Sequence, residues 1–171
     1  MSTEGDSSDE ASSTTPRRAL RPKRQRAREW LQYPFFVYGT LRRGQPNYET
    51  YLAGATISER PARLMGAALY SVGHFPVLVE AGESSSVVGE WIVIHPTLHV
   101  QVRRRLDRLE GCEAGRETWL FRRVRRRVQL EGMGGGAESE AWLYLGDPAV
   151  LRLYPHVHLP DGDWLAWLKT R

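Results

Sequence analysis

Residues 36–47 read FVYGTLRRGQPN, and the break inside this run restricts the folds open to the chain more than any other feature. Phe35, Phe36, Val37 and Tyr38 make an unbroken apolar, β-prone run, the pattern of a strand covered on both faces. Gly39 ends it. A loop bracketed by Gly39 and Gly44 then leads to Pro46 and Asn47, a helix entry, with Tyr48, Tyr51 and Leu52 spaced three to four apart on one face. Such a loop presents successive backbone N–H groups, because glycine tolerates the φ values that turn them toward one point, and so suits an anion or an oxyanion. It lacks the longer spacing and Lys-Ser/Thr ending of a phosphate loop, and it is not a dinucleotide fingerprint. An ordinary tight turn fits the spacing equally well.

The rest of the pattern is mixed α and β. Strands are expected around Ala62–Tyr70, Phe75–Glu80 and Val87–Ile94, in an order like a meander, with glycine and serine between them. Thr97–Leu109 reads as an amphipathic helix: Leu98, Val102, Leu106 and Leu109 fall on one face with arginines between them, Pro96 and Thr97 precede it, and Gly111 stops it. Val124, Val128 and Leu130 then share one parity while Arg125 and Arg127 take the other, as in a half-buried strand. GMGGG at 132–136 turns the chain into a partner strand over Ala141–Leu145. The closing HVHLPDGDWLAWL brings a turn and a short apolar segment that docks a tryptophan into the core.

Charge separates a tail from this domain. The chain of 171 residues carries a net charge of +4; the first 30 residues hold seven Arg or Lys against five Asp or Glu, leaving seventeen against fifteen in the remainder. The folded part is therefore only mildly basic. Residues 1–30, acidic and Ser/Thr-rich and then basic, have too little apolar surface to offset the entropy of ordering and are expected to be a disordered, solvated tail; residues 31–171 form one domain. Cys112 is the sole cysteine, so no intramolecular disulfide forms, and no leader or long apolar span is evident; the expected location is the cytoplasm, with no membrane contact.

A second chemical candidate is LDRLEG at 106–111. With Leu106 and Leu109 turned to the core, Glu110 at the helix end sits at the rim of the apolar interior, where its charged form is disfavoured and it becomes a better base. Taken alone, a solvated glutamate at a helix end is the commoner arrangement.

Taken together, these segments resemble the γ-glutamylcyclotransferase family, including its AIG2-like and γ-glutamylamine branches. The likeness covers most of residues 34–164 and rests on VYGTLRRGQPN, GHFPVLV at 73–79, GEWIVI at 89–94, LDRLEG at 106–111 and DGDW at 161–164. It implies an α+β fold, a small mixed β-barrel with flanking helices. It also implies that the loop of Tyr38, Gly39, Thr40 and Leu41 binds the amino-acid end of a γ-glutamyl small-molecule substrate and that Glu110 is the catalytic carboxylate. The reaction implied is cyclisation of the γ-glutamyl group to 5-oxoproline with release of an amine or amino acid, and it calls for no cofactor. The sequence leaves the departing amine and the number of subunits open. One departure stands out: where relatives carry a Tyr-x-Arg element, this chain has Phe121-Arg122-Arg123, so the phenol is missing, and Arg123 either anchors a strand through a carboxylate or reaches the substrate.

The remaining candidates favour structural roles. Glu90 is expected to face solvent. His156 and His158, followed by Asp161 and Asp163, lack the spacing of a metal motif, and no metal is expected. The arginines of 122–127 alternate in direction if extended, which divides the basic patch, so nucleic acid is not an expected partner. Cys112 has no histidine partner in sequence and reads as a bystander. The contrasting reading is a noncatalytic binding protein that keeps the fold and uses its basic tail on acidic partners such as nucleic acid.

Overall fold

The computed structural model of the protein describes residues 32–112, 120–132 and 136–171. The tail expected over residues 1–30 lies outside the described residues, as does part of the glycine-rich turn. In chain order the elements are β1 (Phe35–Val37), α1 (Pro46–Tyr51), β2 (Thr56–Met65), β3 (Ala67–Ser71), β4 (Pro76–Glu80) and β5 (Ser86–Ile94). They continue as α2 (His99–Leu109), β6 (Phe121–Leu130), β7 (Glu138–Gly146), α3 (Pro148–Leu153), β8 (Val157–Leu159) and α4 (Trp164–Leu168). Strands β1-β5-β2-β6-β7 close into a barrel, and β4-β3-β8 form a second sheet. β1 pairs antiparallel with β5 and parallel with β7, at Phe35 opposite Trp142, so the barrel is mixed.

The strand expected over Ala62–Tyr70 is two strands. The chain turns at Gly66, whose φ of +72° is costly for any residue with a Cβ. Before that corner β2 pairs with β5 in the barrel; after it β3 pairs with β4 in the second sheet. The simple meander order therefore fails. Backbone bonds from Gly66 N to Ser85 O and from Ala81 N to Gly66 O, both 2.9 Å, hold the corner. The hairpin of β6 and β7 forms as the alternation of Val128 and Leu130 predicts.

Two apolar clusters result. One takes Phe36, Ala62, Leu64, Val87, Val128, Leu130, Ala141 and Leu143 from all five barrel strands, together with Trp164 of α4 at 1% exposure, and none from α1 or α2. The other joins Phe35, Val37 and Ile92 to Tyr48 and Leu52 of the α1 region and to Val102 and Leu106 of α2. Both faces of β1 are thus buried, which is why its sequence is an unbroken apolar run and why it can deliver the following loop to a fixed place.

Helix α2 starts at His99, two residues later than its sequence suggests. Leu98 occupies the N-cap position and offers no side-chain cap. The Thr97 hydroxyl is engaged with His95 Nδ1 instead, at 2.8 Å. Its other end is closed twice: Cys112 N donates to Asp107 O at 2.7 Å and Gly111 N to Arg108 O at 3.2 Å, with Gly111 at φ +70°. This paired closure needs the left-handed glycine and leaves Glu110 as the residue that caps the helix.

Candidate active site

The loop after β1 and the end of α2 face each other across a cavity of about 480 Å³. Tyr38, Gly39, Thr40, Leu41 and Glu110 all line it, with Phe121 of β6, Tyr144 of β7 and the β3–β4 turn at His74, Phe75 and Pro76 completing the walls. Residues separated by about seventy positions in sequence are thus brought to one hollow.

The loop is held by side chains that its own sequence does not announce. Glu90 of β5 accepts from Arg42 Nε at 3.2 Å and from the Arg43 backbone N–H at 2.9 Å. The same guanidinium donates through Nη1 to Asp163 Oδ1 at 2.8 Å, and that carboxylate also caps α4 by accepting from Leu165 N and Ala166 N. Glu90 therefore does not face solvent; its side chain is 16% exposed and it clamps the loop. Asn47 Nδ2 donates to Thr40 Oγ1 at 2.9 Å, tying the loop to the start of α1. Gly39 is needed for space and not for unusual φ: a Cβ there would lie 2.4 Å from Pro76 Cγ, and the left-handed glycine of the loop is Gly44. The Arg42 amide closes a turn onto Gly39 O. The amides of Thr40 and Leu41 find no acceptor among the described residues.

Glu110 contrasts with this. Desolvation raises its pKa from 4.5 to about 7. Its place at the negative end of the α2 dipole acts in the same direction. No hydrogen-bond or ion-pair partner for its carboxyl is found among the described residues. A carboxyl poised in this range exchanges a proton readily at neutral pH, in either direction. Tyr38, on the facing loop, is buried and donates its phenol proton to Tyr144 O at 2.6 Å. Burial, reinforced by the Glu110 charge, pushes its pKa well up, so it stays a neutral donor.

Arg123 is not among the residues lining the cavity. It lies 3.2 Å from Asp107 Oδ2 and over the Trp142 ring at 4.9 Å. Phe121 lines the cavity and is also part of the core, 7% exposed. Cys112 donates its thiol to Phe121 O at 3.0 Å, and burial pushes that thiol up to about 11, with the Glu110 and Asp107 charges adding to the shift. A thiol so protonated is a poor nucleophile. His156 and His158 pack against the Tyr70 ring. The arginines of β6 face carboxylates: Arg122 and Arg126 meet Glu80, Arg125 meets Glu140 and Arg127 meets Glu138. No helix among the described residues is long and apolar enough to cross a membrane.

Known proteins share both the sequence pattern and the fold. A Methanocaldococcus jannaschii protein is 36% identical over 110 residues, covering 64% of this chain and 80% of its own. The gamma-glutamylaminecyclotransferase of Bos taurus is 30% identical over 143 residues, covering 76% and 73%. The crystal structure of an AIG2-like protein from Mus musculus superposes with a TM-score of 0.51 at 23% identity, covering 74% of this chain and 86% of that one, a likeness of fold. Residues 35–166, nearly the whole of the described domain, match the family described as gamma-glutamyl cyclotransferase, AIG2-like, and the chain belongs to that family.

Proposed function

We propose that the protein is a γ-glutamylcyclotransferase that converts a γ-glutamyl amine or peptide into 5-oxoproline and a free amine. The substrate carries its own nucleophile, so no protein nucleophile or cofactor is needed. Glu110 accepts a proton from the α-ammonium; the freed amine attacks the γ-carbonyl and closes a five-membered ring. As the tetrahedral centre collapses, the bond to the departing nitrogen breaks and Glu110 returns its proton to that nitrogen, then takes the surplus proton of the ring nitrogen and passes it to the released amine, which leaves as its ammonium, so atoms and charge balance without water. Tyr38, Gly39, Thr40 and Leu41 grip the amino-acid end of the substrate, and the Thr40 and Leu41 amides serve its carboxylate or the developing oxyanion. Holding the flexible γ-glutamyl chain in its ring-closing pose is itself worth roughly 7–11 kcal/mol in well-oriented intramolecular reactions.

The observation that carries this reading is the shared cavity: a carboxyl titrating near 7 and a loop with free amide donors line the same hollow. The name of the bovine relative supports a γ-glutamylamine among the substrates. Arg123 acts through Asp107 in this reading and does not bind substrate. The test is incubation with γ-glutamyl amides, γ-glutamyl dipeptides and glutathione, measuring 5-oxoproline and released amine together. Wild type should yield the two in equal amounts from at least one compound, and Glu110→Gln should lose about 10²–10⁴-fold of that rate, the usual weight of a general acid–base group. Equal rates would remove Glu110 as the base; no turnover of any compound would leave a binding protein.

A further inference from the structure

Tyr144 is hydrogen-bonded to both halves of the site, to Tyr38 of the loop and to Asp107 of α2. It lies on β7, lines the cavity and is 4% exposed. Its backbone carbonyl accepts the Tyr38 phenol from the loop at 2.6 Å, across 106 positions of sequence. Its own phenol donates to Asp107 Oδ1 at 2.9 Å, across 37 positions. Asp107 stands three residues before Glu110 on α2, and its backbone carbonyl takes the Cys112 amide that closes the helix around Glu110. Its other carboxylate oxygen lies 3.2 Å from both Arg103 and Arg123, so two guanidiniums balance its charge.

We propose that Tyr144 and Asp107 are a positioning pair that fixes the Glu110 carboxyl against the Tyr38–Leu41 loop. The inference rests on the cyclotransferase reading of that cavity. A path of two short hydrogen bonds runs from the loop through Tyr38, Tyr144 and Asp107 to the helix end. The Glu110 carboxyl has no partner among the described residues to set its place, so its position is inherited from the helix end that Asp107 organises. A hydrogen bond to an ionised carboxylate is about twice as strong as a neutral one, and a misplacement of about 1 Å at a reacting group removes about 10²-fold of rate. The pair does not switch off with pH: burial first, and Asp107 beside it, hold the Tyr144 phenol far above its ordinary range, so it remains a donor.

Tyr144→Phe keeps the ring and the backbone carbonyl and removes only the bond to Asp107. Under the proposal kcat for 5-oxoproline release falls about tenfold or more while KM stays within about twofold, since positioning acts on the reacting geometry. The backbone amide NMR signals of Thr40 and Leu41 shift as well, while those of Val128 and Leu130, five and seven residues along β6 from the Arg123 that faces Tyr144, stay. Unchanged kcat overturns the proposal, as does a rise in KM alone, or a loss of melting temperature and kcat with the loop amides unmoved. Asp107→Asn, which keeps an acceptor for the phenol, should lose less kcat than Asp107→Ala; equal losses would also contradict it. If wild type releases no 5-oxoproline, the functional reading fails, and the amide shifts still decide whether the two halves are linked.

Discussion

The two sides of the cavity are stabilised in opposite ways. The loop from Tyr38 to Gly44 is over-determined: Arg42 reaches two carboxylates, Glu90 also takes the Arg43 amide, Asn47 holds Thr40, and Pro76 packs where a Gly39 side chain would be. At the end of α2, the Glu110 carboxyl is desolvated with no partner among the described residues and keeps its proton to about pH 7. In the proposed reaction the loop must hold its donors still, which satisfied polar contacts around it allow. The proton-transfer role proposed for Glu110 calls for a mildly disfavoured charged form, which an unsupported, desolvated carboxyl provides at a loss of stability.

Breaking the supported side should show first in stability. Arg42→Ala removes a guanidinium whose side chain is 11% exposed and leaves Glu90 and Asp163 without it. Each carboxylate keeps a backbone partner, so the cost should be about 2–3 kcal/mol, below that of a fully buried pair. Urea unfolding checks this. KM should rise as the loop loosens; a variant as stable as wild type with unchanged KM would mean the clamp is idle.

On the other side the sign reverses. The Glu110 pKa is raised on folding, so between about 4.5 and about 7 the native state holds a proton that the unfolded chain has released, and stability falls as pH rises through that window. Glu110→Gln removes this penalty. The variant should match wild type below about pH 4.5 and exceed it by at most about 3 kcal/mol above pH 7. Denaturant unfolding at several pH values measures the gap; a variant less stable than wild type at pH above 7 would mean that Glu110 is supported after all.

The contrast was half legible in the sequence. The strand that stops at Gly39, the apolar spacing of α2 and the glycine after Glu110 are local signals, and they place the loop and the carboxyl. The closed barrel came through the family resemblance, whereas the corner at Gly66, which separates β2 from β3, looked like the interior of one strand, since a single glycine does not say whether a strand continues. The roles of Glu90, Arg42 and Tyr144 were missed because their partners are 48, 121 and 106 positions away, where no periodicity reaches. Glu90 sits half-way along its strand, where a charged side chain by itself points to solvent, and only the register of β1 against β5, Val37 opposite Glu90, brings it under the loop. Helix α3 was also unread: Asp147 caps it by accepting from Ala149 N ahead of Pro148, a start signal in a stretch too short for an apolar period.

The most direct test of the account is the pH dependence of kcat/KM for 5-oxoproline release, from about pH 5 to about pH 9, for wild type and Glu110→Gln. A wild-type rate that climbs with an apparent pKa near 7 and levels off above it, with the variant at least about 10²-fold slower and lacking that inflection, is the predicted result. A variant that keeps the wild-type rate and the same rising limb would show that another group takes the proton.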